Sequence, residues 1–304
     1  MRIIKEETHF NFLAKGPLCI SLSGLLVLAG IVAYFAMGGL TYGVDFRGGT
    51  DVQVQFKETI DIKAVRQALS DSEIGSFLLK SFGKEGDNEF LISLGKNERS
   101  VGDKKDRGEE VKNALKARFP SLTVRRIESV GPQVGVELRN KAAQAILFSL
   151  IAIMLYVWLR FQWRYSIGAL VALCHDVLIV MAAFVITGKE VTLPVVAAIL
   201  TIAGYSINDT IVIFDRIREN LRRYHKKEAF EIFNESVNQT LSRTILTSGT
   251  TLFVVLSIFF FGGAIIIDFT FALVLGVVVG TYSSIYIAAP IVYNLMKWFP
   301  AKVR

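Results

Sequence analysis

Six apolar runs divide this chain, at residues 18–37, 142–159, 165–187, 191–214, 244–261 and 269–295. A helix rises about 1.5 Å per residue, so roughly 20 residues cross a hydrocarbon layer of about 30 Å. Runs of this length, nearly free of charge, are too apolar for the surface helices of a soluble fold. Composition agrees: 52% of the chain is hydrophobic and only 20% is charged. The expected class is an α-helical membrane protein with six spans. The second and fifth runs are short, and their helices are expected to extend into flanking polar residues.

The net charge of +7 raises the question of nucleic acid. The placement of the charges answers it differently. Of the 34 Lys and Arg, 15 fall in segments that alternation of the spans puts on one side: Arg2, Lys5 and Lys15; Arg160 and Arg164; seven between Arg216 and Arg243; and Lys297, Lys302 and Arg304. The short loops opposite carry only Lys189. Such asymmetry marks the cytoplasmic face and puts both termini there, in a multi-pass protein of the plasma membrane. The long segment 38–141 holds the other 18, against 16 acidic residues, and long translocated segments do not obey the rule. No basic and aromatic interleaving appears, so no nucleic-acid partner is expected. Segment 215–243 carries Ile213, Ile217 and Leu221 at helical spacing with arginines between them. It is expected to lie as an amphipathic helix on the lipid surface. Cys19 and Cys174 both fall in apolar runs, which leaves the exported segment without a disulfide framework. The first run is too long for a signal-peptide core and has no A-x-A site behind it, so it is expected to stay as an anchor.

Segment 38–141 has its own pattern. Val52, Val54 and Phe56 alternate as one face of a strand. Residues 61–70 carry Ile62, Val65 and Leu69 on a helical stripe. Strands are expected at 77–82 and 89–94, joined by a turn-rich link at 83–88. A helix at 109–119 ends at Pro120, and 123–130 is a last strand. The order βαββαβ is that of a ferredoxin-like α+β domain. Residues 96–107 read as a polar loop. GVDFRGGT at 43–50, with Asp45, Arg47, Gly48 and Gly49, lacks the spacing and lysine of a phosphate loop and reads as a turn leading off the membrane.

Chemistry concentrates inside the spans. Asp209 lies in the fourth run, where a carboxylate costs roughly 2.5–3.5 kcal/mol on insertion scales. Such a residue is a functional candidate that needs a partner. Asp209 and Arg243 are symmetric about Lys226, so an antiparallel hairpin centred there brings them to one depth. His175 and Asp176 form a polar pair in the third run, expected as a helix–helix contact, with a place on a proton path as the alternative. One histidine and one carboxylate do not make a metal site, and Ser206 and Ser248 have no G-x-S-x-G setting. No metal, no cofactor and no enzymatic activity are expected. Gly276 and Gly280 form a G-x-x-x-G that permits close helix approach, read as packing within one bundle.

Four stretches together, GVDFRGGT at 43–50, VGPQVGVELRN at 130–140, AGYSINDTIVIFDRIREN at 203–220 and RTILTSGT at 243–250, resemble the SecF branch of the SecD/SecF family. These are membrane subunits of the bacterial protein-export machinery, in the resistance-nodulation-division (RND) superfamily. The resemblance covers the whole chain. It implies a six-helix half-bundle that pairs with SecD and associates with the SecYEG channel, and in some assemblies with YidC. It implies that an unfolded translocating polypeptide is the cargo, and membrane lipid is the chain's other expected partner. It further implies that a proton or sodium gradient supports late steps of export. Its coupling residues fall on Asp209 and Arg243. Helical spacing puts Thr247 one turn beyond Arg243 on the same face, where it is expected to complete the polar cluster, and Asn208, beside Asp209, is expected to hydrogen-bond nearby. The mechanism expected from this is an anionic Asp209 held by a charge-assisted hydrogen bond from Arg243. A passive translocon scaffold and half of a small RND exporter are the rival readings.

Overall fold

The computed structural model describes residues 8–72, 74–82, 88–95 and 107–299. Arg2, Lys5, Lys302 and Arg304, most of the link expected at 83–88, and the loop expected at 96–107 apart from Arg107 lie outside the described residues. The chain divides into two units. One comprises the chain up to Thr41, Gln144–Phe261 and the chain from Asp268 onward; the other comprises Tyr42–Ala143 with Gly262–Ile267.

The smaller unit opens with a short helix, α2 (Val44–Arg47), which follows the first long helix, α1 (Phe12–Ala36). Then come β1 (Gly49–Gln55), α3 (Ile62–Ser70), β2 (Phe77–Phe82), β3 (Glu89–Leu94), α4 (Arg107–Arg118) and β4 (Thr123–Val130). The strands are all antiparallel in the order β2-β3-β1-β4, the ferredoxin-like arrangement. Alternation makes the core. Val52 and Val54 of β1, with Phe56 just past its end, meet Val65 and Leu69 of α3 and Val111 and Leu115 of α4, all essentially without exposed surface. Asp61 caps α3, its side chain accepting from the Lys63 N–H at 3.0 Å.

Gly48 and Gly49 are required by backbone shape. Both have positive φ, +70° and +127°, and a Cβ on Gly49 would run into the Leu94 carbonyl oxygen. The turn packs on the start of α5 (Pro132–Arg160): a Cβ on Gly135 would stand 3.0 Å from the Phe46 carbonyl oxygen. Arg47 reaches forward to Asp51, Nη2 donating to Oδ1 at 3.1 Å. The motif at 43–50 is therefore a structural corner, with one contact from the second family stretch.

The larger unit is helical. It contains α1, most of α5, α6 (Trp163–Thr187), α7 (Leu193–Arg223), α8 (Ala229–Phe261), α9 (Ile267–Ser283, from Asp268), a π-helical stretch over Ser284–Ala288, and α10 (Ala289–Trp298). Six helical segments among the described residues are long and apolar enough to cross a membrane, the last running from Ile267 to Trp298. Many of their large apolar side chains point outward, such as Leu18, Phe148, Leu159, Phe253 and Phe261. That surface suits lipid rather than water. α5 and α8 run well past the apolar runs at 142–159 and 244–261, into polar sequence.

The segment at 215–243 differs from expectation. It is not a separate surface helix. α7 continues to Arg223 and α8 begins at Ala229, so the two form a hairpin with a short connection. The reason is packing. Ile213 and Ile217 are buried against Phe233, Val237 and Leu241. Asn220, also buried, donates to Ser236 Oγ and Gln239 Oε1, each at 2.9 Å. The apolar stripe that suggested lipid contact faces the sister helix. The N-terminal segment is tied to the same hairpin: Asn234 and Asn238, one turn apart, accept from the Phe12 and Phe10 N–H at 2.8 and 2.9 Å. Both side-chain amides donate back to the Phe10 carbonyl.

Candidate ion-coupling site

Asp209 sits on the buried face of α7, 3% exposed. The same face carries Ile202, Ser206, Thr210 and Ile213, the 3.6-residue repeat of an amphipathic helix turned inward. Its acceptor is satisfied from α8: Ser248 Oγ donates to Asp209 Oδ2 at 3.2 Å. Thr281 Oγ1 of α9 lies 2.7 Å from Ser248 Oγ. A hydroxyl pair thus leads from the carboxylate across α8 to α9.

Arg243 is not Asp209's hydrogen-bond partner. Among the described residues no ion pair within 4.0 Å joins them, and Arg243 is exposed on this chain. Hairpin register explains the difference. The contacts Asp209–Ser248, Arg216–Gln239 and Asn220–Ser236 centre the hairpin near residue 228 rather than at Lys226. A shift of two positions in the centre moves the facing residue by about four, one helical turn. Ser248 therefore takes the level expected for Arg243. Thr247 is half-buried, with its hydroxyl 3.0 Å from the carbonyls of Arg243 and Thr244 on its own helix and within hydrogen-bonding reach of the Asp209 carboxylate, as expected. Asn208 is exposed and turned away from the cluster, one residue around the helix from Asp209. Sequence reasoning weighed Ser248 only as a nucleophile. Its place in RTILTSGT, one turn after Thr244 on the buried stripe, was the available signal.

The polar pair of the third run does make the expected contact between helices. Asp176, 1% exposed, accepts at Oδ2 from Ser206 Oγ of α7 (2.6 Å) and Ser283 Oγ of α9 (2.9 Å). His175 Nδ1 is 3.0 Å from Oδ1. Thr210 Oγ1 lies 2.8 Å from Ser284 Oγ. Gly276 and Gly280 open the space for this: a Cβ on Gly276 would overlap the Ile202 side chain, and one on Gly280 would stand 3.0 Å from Ser206 Cβ. The G-x-x-x-G is spent inside the chain, packing α9 on α7. No group of three His, Cys, Asp or Glu able to hold a metal occurs among the described residues.

Fold and site together define a multi-pass membrane protein: a helical half-bundle with a carboxylate-and-hydroxyl core, carrying a ferredoxin-like domain between its first two spans. Comparison with known proteins specifies it. Residues 110–298 match the family model of the protein export membrane protein SecD/SecF, C-terminal, and residues 34–60 match the SecD/SecF GG motif. Protein translocase subunit SecF of Calditerrivibrio nitroreducens is 42% identical over 301 residues, with 96% of each chain covered. That of Vibrio alginolyticus is 42% identical over 295 residues, covering 97% of this chain and 92% of its own. The crystal structure of SecDF from Thermus thermophilus, a translocon-associated membrane protein, superposes with a TM-score of 0.86 at 35% identity. SecDF in its super-membrane-facing form gives 0.71. Both alignments cover 97% of this chain and 40% of the SecDF chain. The chain belongs to the SecD/SecF family of protein-export membrane proteins.

Proposed function

We propose that this chain is the SecF-type half of a SecD–SecF assembly that couples a proton or sodium gradient to late steps of Sec-dependent protein translocation. The observation that carries the proposal is Asp209: a carboxylate buried in an apolar helix, bound by a hydroxyl relay from two other helices, with no structural need for its charge. In this reading the assembly works beside the SecYEG channel, with YidC in some assemblies, in the bacterial plasma membrane with both termini cytoplasmic. It acts on unfolded polypeptide through the ferredoxin-like domain.

The energetics are of the right size. One charge moving through 100 mV is worth about 2.3 kcal/mol. A hydrogen bond to a charged group contributes about 1.5–3 kcal/mol. Ion binding at Asp209 therefore changes the Ser248 contact by an amount comparable to the driving force, enough to bias two arrangements of α7, α8 and α9. Arg243, one turn away, acts on the anion through its charge without an ion pair in the arrangement described. Its exposed guanidinium is free to face the partner half.

The test is export into membrane vesicles with and without an ion gradient. Asp209→Asn keeps size and can still accept from Ser248, but carries no charge. It is expected to leave protein level and ATP-driven export unchanged and to abolish stimulation by the gradient. Arg243→Lys keeps charge but loses the planar fork and is expected to lose part of the stimulation. Full gradient-dependent export by Asp209→Asn would eliminate ion coupling here and leave a passive scaffold.

A further inference from the structure

The His175–Asp176 pair lies outside the role given to Asp209. Asp176 has no access to solvent, and its two oxygens receive three polar neighbours. Ser206 and Ser283 both donate to Oδ2, from α7 and α9. Oδ1 is left for His175 Nδ1. With Oδ2 taken by two hydroxyls, Oδ1 is the acceptor left to the ring, and it fixes the imidazole with its hydrogen on Nδ1, because a bare Nδ1 would set its lone pair against those of the oxygen. The lone pair of the ring is then on Nε2. That nitrogen makes no hydrogen bond among the described residues, and His175 keeps 9% of its surface exposed while Asp176 keeps 1%.

We infer that His175 Nε2 is a second proton-binding site of this chain, with Asp176 as its fixed counter-charge. Taking up a proton converts a net-negative pair to a neutral one, with the proton on Nε2 and the Nδ1–H···Oδ1 contact retained. The surroundings suit this. The titratable groups facing the pair are Tyr282 on α9, whose ring is 6.1 Å from the imidazole, Tyr286 in the π-helical stretch, 5.2 Å from Tyr282, and Cys19 on α1, whose carbonyl accepts from Tyr282 Oη at 2.9 Å. α7 presents the hydroxyl of Ser206, with Asp209 about one turn further along. No lysine or arginine among the described residues forms an ion pair with Asp176, so the imidazolium is its available cation.

The position gives the proton something to act on. Gly280 to Ser284 is a polar node: Thr281 contacts Ser248, Tyr282 contacts Ser23 and Cys19, Ser283 contacts Asp176, and Ser284 contacts Thr210. The helix changes to π geometry at Ser284, and single π turns recur at functional positions in helices. Charge at His175 is therefore applied where α1, α6, α7, α8 and α9 converge.

The inference is independent of the coupling role proposed for Asp209. The chain has three histidines, and the other two, His9 and His225, are exposed. His9→Gln combined with His225→Gln leaves His175 as the sole histidine without touching the site. Nitrogen-15 NMR of this full chain in lipid bilayers, with labelled histidine, reads its tautomer and charge directly. The expected result is the Nδ1–H tautomer at high pH and imidazolium at low pH, with the same conversion after Asp209→Asn. Asp176→Asn is expected to abolish the tautomer preference. An imidazole that stays neutral wherever the protein remains folded would overturn the inference, as would a resting Nε2–H tautomer. If Asp176→Asn does not fold, Ser283→Ala, which removes one competing donor to Asp176, must leave proton uptake by His175 intact. Loss of that uptake would also count against the site. Inactivity of Asp209→Asn in export bears on the coupling proposal alone.

Discussion

At the scale of single residues, the site turns on which group holds Asp209. Ser248 on α8 donates to its carboxylate at 3.2 Å, with Thr247 beside it on the same helix. Ser248→Ala removes a hydroxyl without creating a clash and cuts the link to Thr281. Loss of a hydrogen bond to a charged group costs about 1.5–3 kcal/mol. Gradient-dependent export is expected to fall roughly tenfold, with ATP-driven export unchanged. The same vesicle assay checks it, and undiminished stimulation would place the working contact elsewhere. A second residue-scale consequence lies in the ferredoxin-like domain. Glu128 on β4 stands opposite Asp51 on β1. Burial pushes its carboxyl above the ordinary value; Arg126 opposes this, and Asp45 and Asp51 add to it. A raised folded-state value means that its contribution is fully present below the ordinary carboxylate range and is lost as pH rises through the raised value. Glu128→Gln is therefore expected to slow amide exchange in β1 and β4 at neutral pH, by roughly twofold, the size of a surface substitution. In acid the difference should vanish, and faster exchange at neutral pH would reverse the sign.

At the scale of elements, the sequence spoke clearly where one side chain per turn or per pleat decides the outcome. The alternation of Val52, Val54 and Phe56 found β1, and the Ile62, Val65, Leu69 stripe found α3. The hairpin of α7 and α8 was harder, because its register depends on how a short polar connection closes. Symmetry about Lys226 placed Arg243 beside Asp209. Packing of Ile217 on Phe233 and Val237, and the Asn220 contacts, set the centre near residue 228 and brought Ser248 there instead. The amphipathic stripe at Ile213, Ile217 and Leu221 was visible, but its partner was not, since lipid and a sister helix ask for the same residues. Gly276 shows a legible motif with an illegible partner. Its contact with Ile202 yields a test: Gly276→Ala drives a methyl into the Ile202 side chain, and overpacking of this kind costs about 1–3 kcal/mol. Thermal stability in detergent should drop. Adding Ile202→Ala should restore most of it, since the two changes exchange volume across one contact. A double variant less stable than Gly276→Ala alone would mean that the glycine meets its neighbour differently.

At the scale of the whole molecule, the bundle is unevenly covered. Ala197, Thr201, Gly204 and Asn208 form an exposed stripe along α7, one turn apart, and a Cβ on Gly204 would meet nothing within 4 Å. Across the hairpin, Arg243 and Gly249 are exposed as well. An arginine and a run of small or polar residues suit a neighbouring helix better than lipid, because small residues let backbones approach and polar ones need partners. Elsewhere the exposed surface includes large apolar side chains such as Leu18, Phe148, Leu159, Phe253 and Phe261, which suit acyl chains. The stripe lies on the face of α7 directly beside Asp209, so whatever covers it can feel a change in that carboxylate. With the chain spanning 40% of the SecDF chain it superposes on, we expect the cover to be the SecD half. Cys19 and Cys174 can first be replaced, leaving no other cysteine. Gly204→Cys and Asn208→Cys, made with SecD bearing single cysteines on its own spans, are then expected to form disulfide-linked heterodimers. Phe253→Cys, on the leucine- and phenylalanine-rich surface, should not. Cross-linking from Phe253 but not from Gly204 would put the interface on the wrong face and detach Asp209 from the partner it is expected to move.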